Sequence, residues 1–382
     1  MTHYHWIDSN ASLATECQRW SSLSHIGLDT EFIRERTFYP IAALIQINDG
    51  DNNYLIDPTT IEDLSPLKSL LQSSECIKVV HSCSEDLEVF AKLLDCHVEP
   101  LADTQVAAAL LGLGPALGYA NLCQLQLGIE VDKGETRSNW LQRPLTESQC
   151  HYAALDVEHL LPLYDRLMDQ LEAADKADMF DEECERIEFQ SMQPFNYEEA
   201  YSRIKAAWKM PSHELNRLRA LAAWREREAR ARDMPRNHVI RDSGLIAIVQ
   251  RNAECVDDFK GLVDVSPAFV RKYANECIAL LAHANNTPRA QWPGKMDKPL
   301  SKGQAKIMSQ LKAQLVRFAE ARQICPEVLA SKRDVEPVIR GYAGNSQVNL
   351  DYLRSSWRIR AYAAACQSLQ ISCTSRLGGV SE

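Results

Sequence analysis

The stretch His25-Ile-Gly-Leu-Asp-Thr-Glu-Phe32 decides the fold of this chain, and its pattern predicts a β-strand. Side chains alternate along a strand, so Asp29 and Glu31 are expected on one face and Thr30 on the other. Two carboxylates on one face form a bridging site for hard cations. Asp-x-Glu also occurs by chance in many proteins, so the pair needs support from the rest of the chain.

Strand and helix patterns surround this stretch on both sides. A helix is predicted ahead of it, over Ser9–Trp20. Two strands are predicted after it, over Ile41–Asn48 and Tyr54–Asp57, and three sequential strands indicate a meander. Ile77–His81 predicts a fourth strand. The N-terminal region is therefore expected to contain a sheet.

Helices are expected to dominate after the fourth strand. Ser82 and Glu85 have capping-box spacing and predict a helix start, and Thr146 and Gln149 predict another. Pro162 is expected to kink or break the helix that follows.

The composition indicates a soluble protein with more than one domain. The chain has 382 residues, which predicts two or three domains. It is 45% apolar and 25% charged, and no apolar run approaches the roughly 20 residues that cross a bilayer. We see no secretory signal, so no membrane association is expected and the expected location is the cytoplasm. The twelve cysteines are scattered without Cys-x-x-Cys spacing, which indicates reduced, structural thiols.

Charge is divided unevenly along the chain. Residues 1–210 contain 15 Lys and Arg against 35 Asp and Glu, a net charge of -20. Residues 211–382 contain 27 against 17, a net charge of +10. This division favours polyanion binding in the C-terminal half and metal chemistry in the N-terminal half, although an uneven solvated surface would look the same.

The C-terminal half shows a weak internal repeat. Asp178–Met210 is interpreted as a connection between domains. Two long helical patterns follow, Leu215–Ala231 and Gln304–Gln323, each with a proline shortly after it. The spacing of about 90 residues predicts two similar all-helical modules.

Further acidic residues complete a constellation with Asp29 and Glu31. Asp86 falls in the first turn of the helix after the fourth strand, where the helix dipole also favours a negative charge. Tyr152 and Asp156 are spaced i, i+4 and share one helix face. Each feature alone has an ordinary structural explanation, and it is their joint order that points to a site.

This order resembles the tyrosine-containing subclass of the DEDD exonuclease superfamily. The neighbouring stretches Val79–His81, Asp103–Thr104, Trp140–Leu145 and Tyr152–Val157 resemble the bacterial ribonuclease D family. Asn139 departs from that pattern, since an aspartate is expected there before the tryptophan.

The resemblance implies an α/β, RNase H-like exonuclease domain, a mixed sheet flanked by helices, over residues 1–190. A connecting segment, 191–210, would be followed by two all-α HRDC-like domains, 211–290 and 291–382. The first matches the HRDC pattern at Leu218, Trp224, Arg225, Ala229 and Pro235. The second matches less sharply, at Arg317, Ala321 and Pro326.

The resemblance also implies two divalent metal ions, Mg²⁺ or Mn²⁺. Two such ions offset the charge of a phosphodiester and bind both the attacking and the leaving oxygen. By resemblance, Asp29 bridges both ions, Glu31 and Asp156 hold the ion on the nucleophile side, and Asp86 steadies the other. Tyr152 would orient or deprotonate the attacking water, and orientation is favoured because a phenol is a poor base at neutral pH.

Three other residues lie beside the constellation in sequence. His81 is interpreted as structural rather than as a ligand. Arg143 is expected either to contact a substrate phosphate or to cap a loop. Phe32 could stack on a terminal base, although an aromatic residue at a strand end usually belongs to the core.

The implied function is that of a monomeric 3′-to-5′ exoribonuclease that acts on transfer RNA precursors and other structured RNA 3′ ends. The first rival is a DNA exonuclease of the Werner or proofreading type, and the second is a non-catalytic RNA-binding adaptor. Arg225, Arg232 and Arg317 are candidate phosphate contacts, although HRDC-like modules can also dock proteins. A fragment ending near residue 210 is expected to retain cleavage of short RNA.

Overall fold

The chain forms two compact units in a computed structural model that describes residues 3–132, 134, 138–344 and 347–377. The first unit comprises residues 1–33, 41–193 and 300–382, and the second comprises residues 34–40 and 194–299. These units do not follow the predicted boundaries, because the last helical segment packs in the same unit as the sheet.

A six-stranded mixed sheet lies in the first unit. Its strands are β1 (Tyr4–Ile7), β2 (His25–Ile33), β3 (Ile41–Asn48), β4 (Asn53–Ile56), β5 (Ile77–Val80) and β6 (Leu101–Asp103). Their order is β1-β4-β3-β2-β5-β6, with β2, β3 and β4 antiparallel and the other neighbours parallel. The four predicted strands and their meander are confirmed, and β1 and β6 were not predicted.

The helices of the described chain run in both units. They are α1 (Asn10–Trp20), α2 (Ser65–Leu71), α3 (Ser84–Leu94), α4 (Thr104–Leu110), α5 (Tyr119–Leu127), α6 (Glu147–Glu158), α7 (Leu160–Ala173), α8 (Ala177–Ser191), α9 (Ser212–Ala231), α10 (Arg236–Val239), α11 (Asp242–Arg251), α12 (Pro267–Asn286), α13 (Lys302–Ala321), α14 (Lys332–Ala343) and α15 (Ser356–Ser368). A small second sheet pairs β7 (Val348–Asn349) with β8 (Cys373–Thr374). No helix of the described residues is long and apolar enough to span a membrane.

Two predicted helix starts have different outcomes. The Thr146–Gln149 capping box of α6 is confirmed, since each side chain bonds the other's backbone amide. The predicted cap at Ser82 is wrong, because Ser82 has a φ of 63° and α3 begins two residues later, at Ser84, without a side-chain cap. The Asp103 carboxylate instead accepts bonds from the backbone amides of Ser82 (2.9 Å) and Cys83 (3.1 Å). A residue distant in sequence thus holds the turn that precedes the helix.

Two further predictions concern residues after α6. The predicted break is confirmed, because α6 and α7 are separated at His159 and Pro162 lies in the first turn of α7. The interpretation of the acidic run from Asp178 as part of a connection between domains is wrong. It forms α8, which packs against α4, α7 and β6. Its apolar side, including Phe180, drives this packing because burying a phenylalanine contributes about 1.5–3 kcal/mol.

The sheet separates two sets of core residues. One face packs on α1, α2 and α3 through Leu13, Trp20, Leu28, Ile45, Ile56, Leu67 and Phe90. Part of the other face packs on α6 through Leu44, Leu55, Ala153 and Ala154. Because side chains alternate along β2 and β3, neighbouring residues of these strands serve opposite faces. All twelve cysteines are free and ten are buried, which confirms their structural interpretation.

The C-terminal segment shares a hydrophobic core with the helices that flank the main sheet. Leu311 and Leu315 of α13 belong to the same buried cluster as Leu110 and Leu167. The backbone also approaches closely there, since a Cβ at Gly112 would lie 2.8 Å from the Gln323 carbonyl oxygen. A fragment ending near residue 210 would expose this core, so the structure does not support the expectation that it stays active.

A buried ion network ties the same segment to α8. Arg358 of α15 donates to both carboxylate oxygens of Glu183, with Nη2 2.7 Å from Oε2, and its Nη1 lies 3.2 Å from Asp334 Oδ2. The three side chains are buried, and the Trp357 indole nitrogen also donates to Glu183. Buried charges are tolerated when they are paired in this way.

The second unit is built around α9. Its core includes Leu218 and Trp224, which confirms that these positions of the HRDC pattern face inward. Arg225 is also buried, and its Nη1 bonds the Ile240 carbonyl (3.1 Å) and Asp242 (2.8 Å). Its proposed contact with RNA phosphate is therefore wrong, because the guanidinium is already engaged inside the unit.

We predict that Arg358→Met destabilises the protein by about 3–5 kcal/mol, because Glu183 is left buried without its partner. Urea unfolding checks this value. Arg360→Met is the matched control, since Arg360 is exposed on the same helix and should stay within about 0.5 kcal/mol of the wild type. Equal stabilities for the two variants would show that the network does not hold the C-terminal segment.

Candidate active site

The central strand β2 carries the first two carboxylates of the site. Asp29 lies opposite Gln46 of β3 and Glu31 lies opposite Leu44, with a shift in register directly after Glu31. The shift is a bulge, a feature that re-aims a strand near its end. Both residues are half-buried, so part of each remains accessible to solvent.

Asp86 approaches from the opposite face of the sheet. It is buried in the first turn of α3, as predicted, and the Thr30 hydroxyl donates to its Oδ1. Thr30 points away from Asp29 and Glu31 as expected, but sequence reasoning assigned it no role. The structure shows that it fixes Asp86, while Asp103 holds the turn that precedes α3.

Tyr152 and Asp156 come from α6, which packs across β2, β3 and β4. The two residues share one face, and the Asp156 carboxylate lies close enough to contribute to the raised pKa of the Tyr152 hydroxyl. Tyr119 was missed by the sequence reasoning and secures the end of this helix. Its hydroxyl donates to the Leu155 carbonyl (3.2 Å) and accepts from the His159 amide (3.1 Å).

The structure brings all five predicted residues into one electrostatic cluster. Burial, followed by repulsion from the other three carboxylates, raises the pKa of Asp29 well above its usual range. Burial and the carboxylates of Asp156 and Asp86 raise the pKa of Glu31 to about 9. Burial also raises the pKa of Asp86 to about 6 and that of Asp156 to about 7. None of the principal contributions to these four shifts comes from a lysine or arginine.

The same buried carboxylates change the pKa of the Tyr152 hydroxyl. Burial, followed by the charges of Asp156, Glu31 and Asp29, raises the pKa of its hydroxyl above the usual value. A phenol that holds its proton this firmly donates hydrogen bonds and does not act as a base without a further charge in the site. The geometry therefore favours an orienting role.

Hard divalent cations suit this donor set. Four carboxylates that lack a compensating cation would be stabilised by one, and carboxylate oxygens are the ligands that Mg²⁺ prefers. No three His, Cys, Asp or Glu side chains in the described ranges are grouped so as to hold an ion by themselves. Mg²⁺ commonly completes its coordination with water and substrate oxygens.

His81 and Phe32, two of the three residues that lie beside the site in sequence, have different environments. His81 is structural, as interpreted, because Nε2 lies 3.0 Å from the Leu117 carbonyl oxygen and Nδ1 lies 2.9 Å from the Thr104 hydroxyl. Phe32 is half-buried and belongs to none of the core clusters of the described residues, so it is accessible beside Glu31.

Arg143 is engaged within the domain. Its guanidinium bonds both carboxylate oxygens of Asp57 and the carbonyls of Ala43, Trp140 and Gln142. Burial raises the pKa of Asp57, but the bonds from Arg143 more than offset this effect and leave it lowered. Of the two roles considered, the structure supports loop anchoring over phosphate binding.

Comparison with known proteins gives a consistent result. Residues 4–172 match the family model described as 3′-5′ exonuclease, and residues 214–281 match the HRDC domain. The chain is 38% identical to ribonuclease D of Pseudomonas paraeruginosa over 366 residues, covering 96% of this chain and 97% of the relative. It is 35% identical to ribonuclease D of Escherichia coli, covering 96% and 98% respectively.

Solved structures agree with these matches. The crystal structure of Escherichia coli RNase D, described as an exoribonuclease involved in structured RNA processing, superposes with a TM-score of 0.88 at 34% identity. The match covers 96% of this chain and 99% of that one. The catalytic core of RRP6 from Trypanosoma brucei superposes with a TM-score of 0.56 at 18% identity over 74% of this chain and 80% of that one, which shows a shared fold.

We predict that Glu31→Gln stabilises the metal-free protein at pH 8 by about 1–3 kcal/mol and has little effect near pH 4. An acid whose folded-state pKa is raised to about 9 contributes stability below its unfolded pKa, and that contribution is lost as pH rises toward the folded value. The glutamine variant escapes this loss because it does not ionise.

Thermal unfolding in a chelator at both pH values tests the prediction. The control is Glu62→Gln, an exposed carboxylate in the same unit, which should change Tm little at either pH. A Glu31→Gln variant that is less stable than the wild type at pH 8 would contradict the electrostatic description of the site.

Proposed function

Because this chain belongs to the ribonuclease D family of 3′-to-5′ exoribonucleases, we propose that it hydrolyses RNA with two divalent cations, Mg²⁺ or Mn²⁺, held by four carboxylates. The ligands are Asp29, Glu31, Asp86 and Asp156. The observation that carries this proposal is the cluster itself, in which the carboxylates raise one another's pKa without a lysine or arginine among the principal contributors.

The reaction removes one nucleotide at a time from an RNA 3′ end. Water attacks the last phosphodiester phosphorus, the bond to the 3′ oxygen breaks, and a 5′-mononucleotide and a new 3′-hydroxyl are released. Bound divalent cations supply charge neutralisation for the phosphate and lower the pKa of water. Asp29 would contribute to holding both ions, a role supported by its interaction with each of the other three carboxylates.

The protein side chains position the reacting groups. Thr30 holds Asp86 at the edge of the site, and α6 presents Asp156 one turn from Tyr152. The Tyr152 hydroxyl keeps its proton and orients the attacking water, since its raised pKa disfavours the phenolate. Phe32, which is accessible beside Glu31, is placed to contact the terminal base.

The second unit supports RNA binding through its charge. It contains 20 Lys and Arg against 14 Asp and Glu, a net charge of +6, while the first unit carries -16. Arg232 keeps part of its surface exposed, and Arg317 of the first unit is exposed. Such residues contact phosphates without reading sequence, which suits a positioning surface.

The proposed substrates are transfer RNA precursors and other structured RNA 3′ ends. The similar Escherichia coli enzyme is described as acting in structured RNA processing, which supports this choice. The rival DNA exonuclease is tested by measuring mononucleotide release from matched RNA and DNA oligomers. Faster release from DNA would overturn the RNA assignment, and no metal-dependent release from either oligomer would favour the adaptor.

We predict that Asp29→Asn, Glu31→Gln, Asp86→Asn and Asp156→Asn each nearly abolish release of mononucleotides at saturating Mg²⁺. Each change removes charge with little change in volume, so the fold should remain. Asp165→Asn, an exposed carboxylate on α7, is the control and should keep wild-type turnover. Near-normal turnover in two of the four variants would show that the two-metal assignment is wrong.

Tyr152→Phe should lower kcat by about 10² to 10⁴ and leave RNA affinity unchanged, because it removes one orienting hydroxyl and no ligand. Single-turnover kinetics and RNA titration in a chelator measure the two quantities. Tyr164→Phe, a half-buried tyrosine on α7, is the control. A loss of RNA affinity equal to the loss of rate would make Tyr152 a binding residue instead.

A further inference from the structure

Gln46 is an unexplained polar residue in the centre of the sheet. It lies on β3, between β2 and β4, and is 0% exposed. Both its amide nitrogen and its carbonyl oxygen lack a hydrogen-bond partner, a combination that no other buried side chain of the described residues shows. Buried polar groups are normally paired, so each exception calls for a functional or structural reason.

The register places Gln46 beside the first carboxylate of the site. Gln46 lies directly opposite Asp29 on one side and Leu55 on the other. Residues directly opposite one another on an antiparallel pair share a face, with their Cβ atoms about 4.5–5.5 Å apart. That face is the one covered by α6, which carries Tyr152 and Asp156. The amide therefore lies under the helix and within reach of Asp29.

Stability alone does not account for this side chain. An apolar side chain of similar length, such as methionine, would fill the same space without leaving two polar atoms unpaired. Asp29 lies directly opposite Gln46 on the same face, so its carboxylate is the acceptor nearest to the unpaired amide in the strand register. A carboxylate that binds a cation through one oxygen can accept a hydrogen bond at the other.

We propose that Gln46 is a positioning residue for the metal site, an inference that rests on the proposed function. Its Nε2 donates to the Asp29 carboxylate when a divalent cation is bound, and its Oε1 accepts from water in the site. The bond would hold the Asp29 carboxylate in the orientation that binds a cation. Groups that orient metal ligands in this way commonly change metal affinity about 10- to 100-fold when they are removed.

The test is Gln46→Met, with Mn²⁺ as the probe and calorimetric titration of the RNA-free protein as the readout. We expect the Kd for Mn²⁺ to rise about 10- to 100-fold while the metal-free Tm is unchanged or higher. RNA affinity in a chelator should be unchanged, and kcat should fall at saturating RNA without a change in KM. Ile47→Val is the matched control, since Ile47 serves the opposite face and should lower Tm without changing Mn²⁺ affinity.

An unchanged Kd for Mn²⁺ in Gln46→Met would overturn the inference, whatever its Tm. If that variant does not fold, Gln46→Asn serves the same test, because it keeps an amide but withdraws it by one methylene. An unchanged Kd in the asparagine variant would then overturn the inference. Failure of the proposed function is distinguishable, because wild-type protein would then neither bind Mn²⁺ nor release nucleotides from RNA.

Discussion

Repulsion among four carboxylates is the constraint to which the rest of the first unit is adapted. Burial and neighbouring carboxylates raise the pKa of Asp29, Glu31, Asp86 and Asp156, so the charged site opposes folding until a cation is bound. The free energy that holds them together must come from packing elsewhere. The apolar faces of the sheet supply it, since each buried leucine or isoleucine contributes about 1.5–3 kcal/mol.

The site draws on both faces of the sheet. The strand β2 presents Asp29 and Glu31 toward α6, while the intervening Thr30 reaches the other side and bonds Asp86 at the start of α3. The side chains of a strand point to alternate faces, so a strand alone could not surround a cation. The helices α3 and α6, on opposite faces of the sheet, supply the other two carboxylates. The bulge directly follows Glu31.

The C-terminal helices α13, α14 and α15 stabilise the first unit, besides any role in RNA binding. They complete the core around α4 and α7 and bury Arg358 against Glu183 of α8. The chain thus leaves the first unit at residue 193 and returns to it at residue 300. The net charge of residues 211–382, which is +10, therefore differs from the net charge of the second unit, which is +6.

Local periodicity predicted four of the six strands of the main sheet and placed Asp29 with Glu31, and Tyr152 with Asp156, on shared faces, because strand alternation and i, i+4 spacing depend on near neighbours. The prediction of a site at these residues and Asp86 came from their joint order, which resembles that of the DEDD exonucleases. It could not predict partners far apart in sequence. The Asp103 carboxylate bonds the amides of the turn before α3, Arg143 bonds Asp57, and Gln46 lies opposite Asp29. These contacts join strands, loops and helices that only the closed core brings together, so they were decided by the tertiary structure.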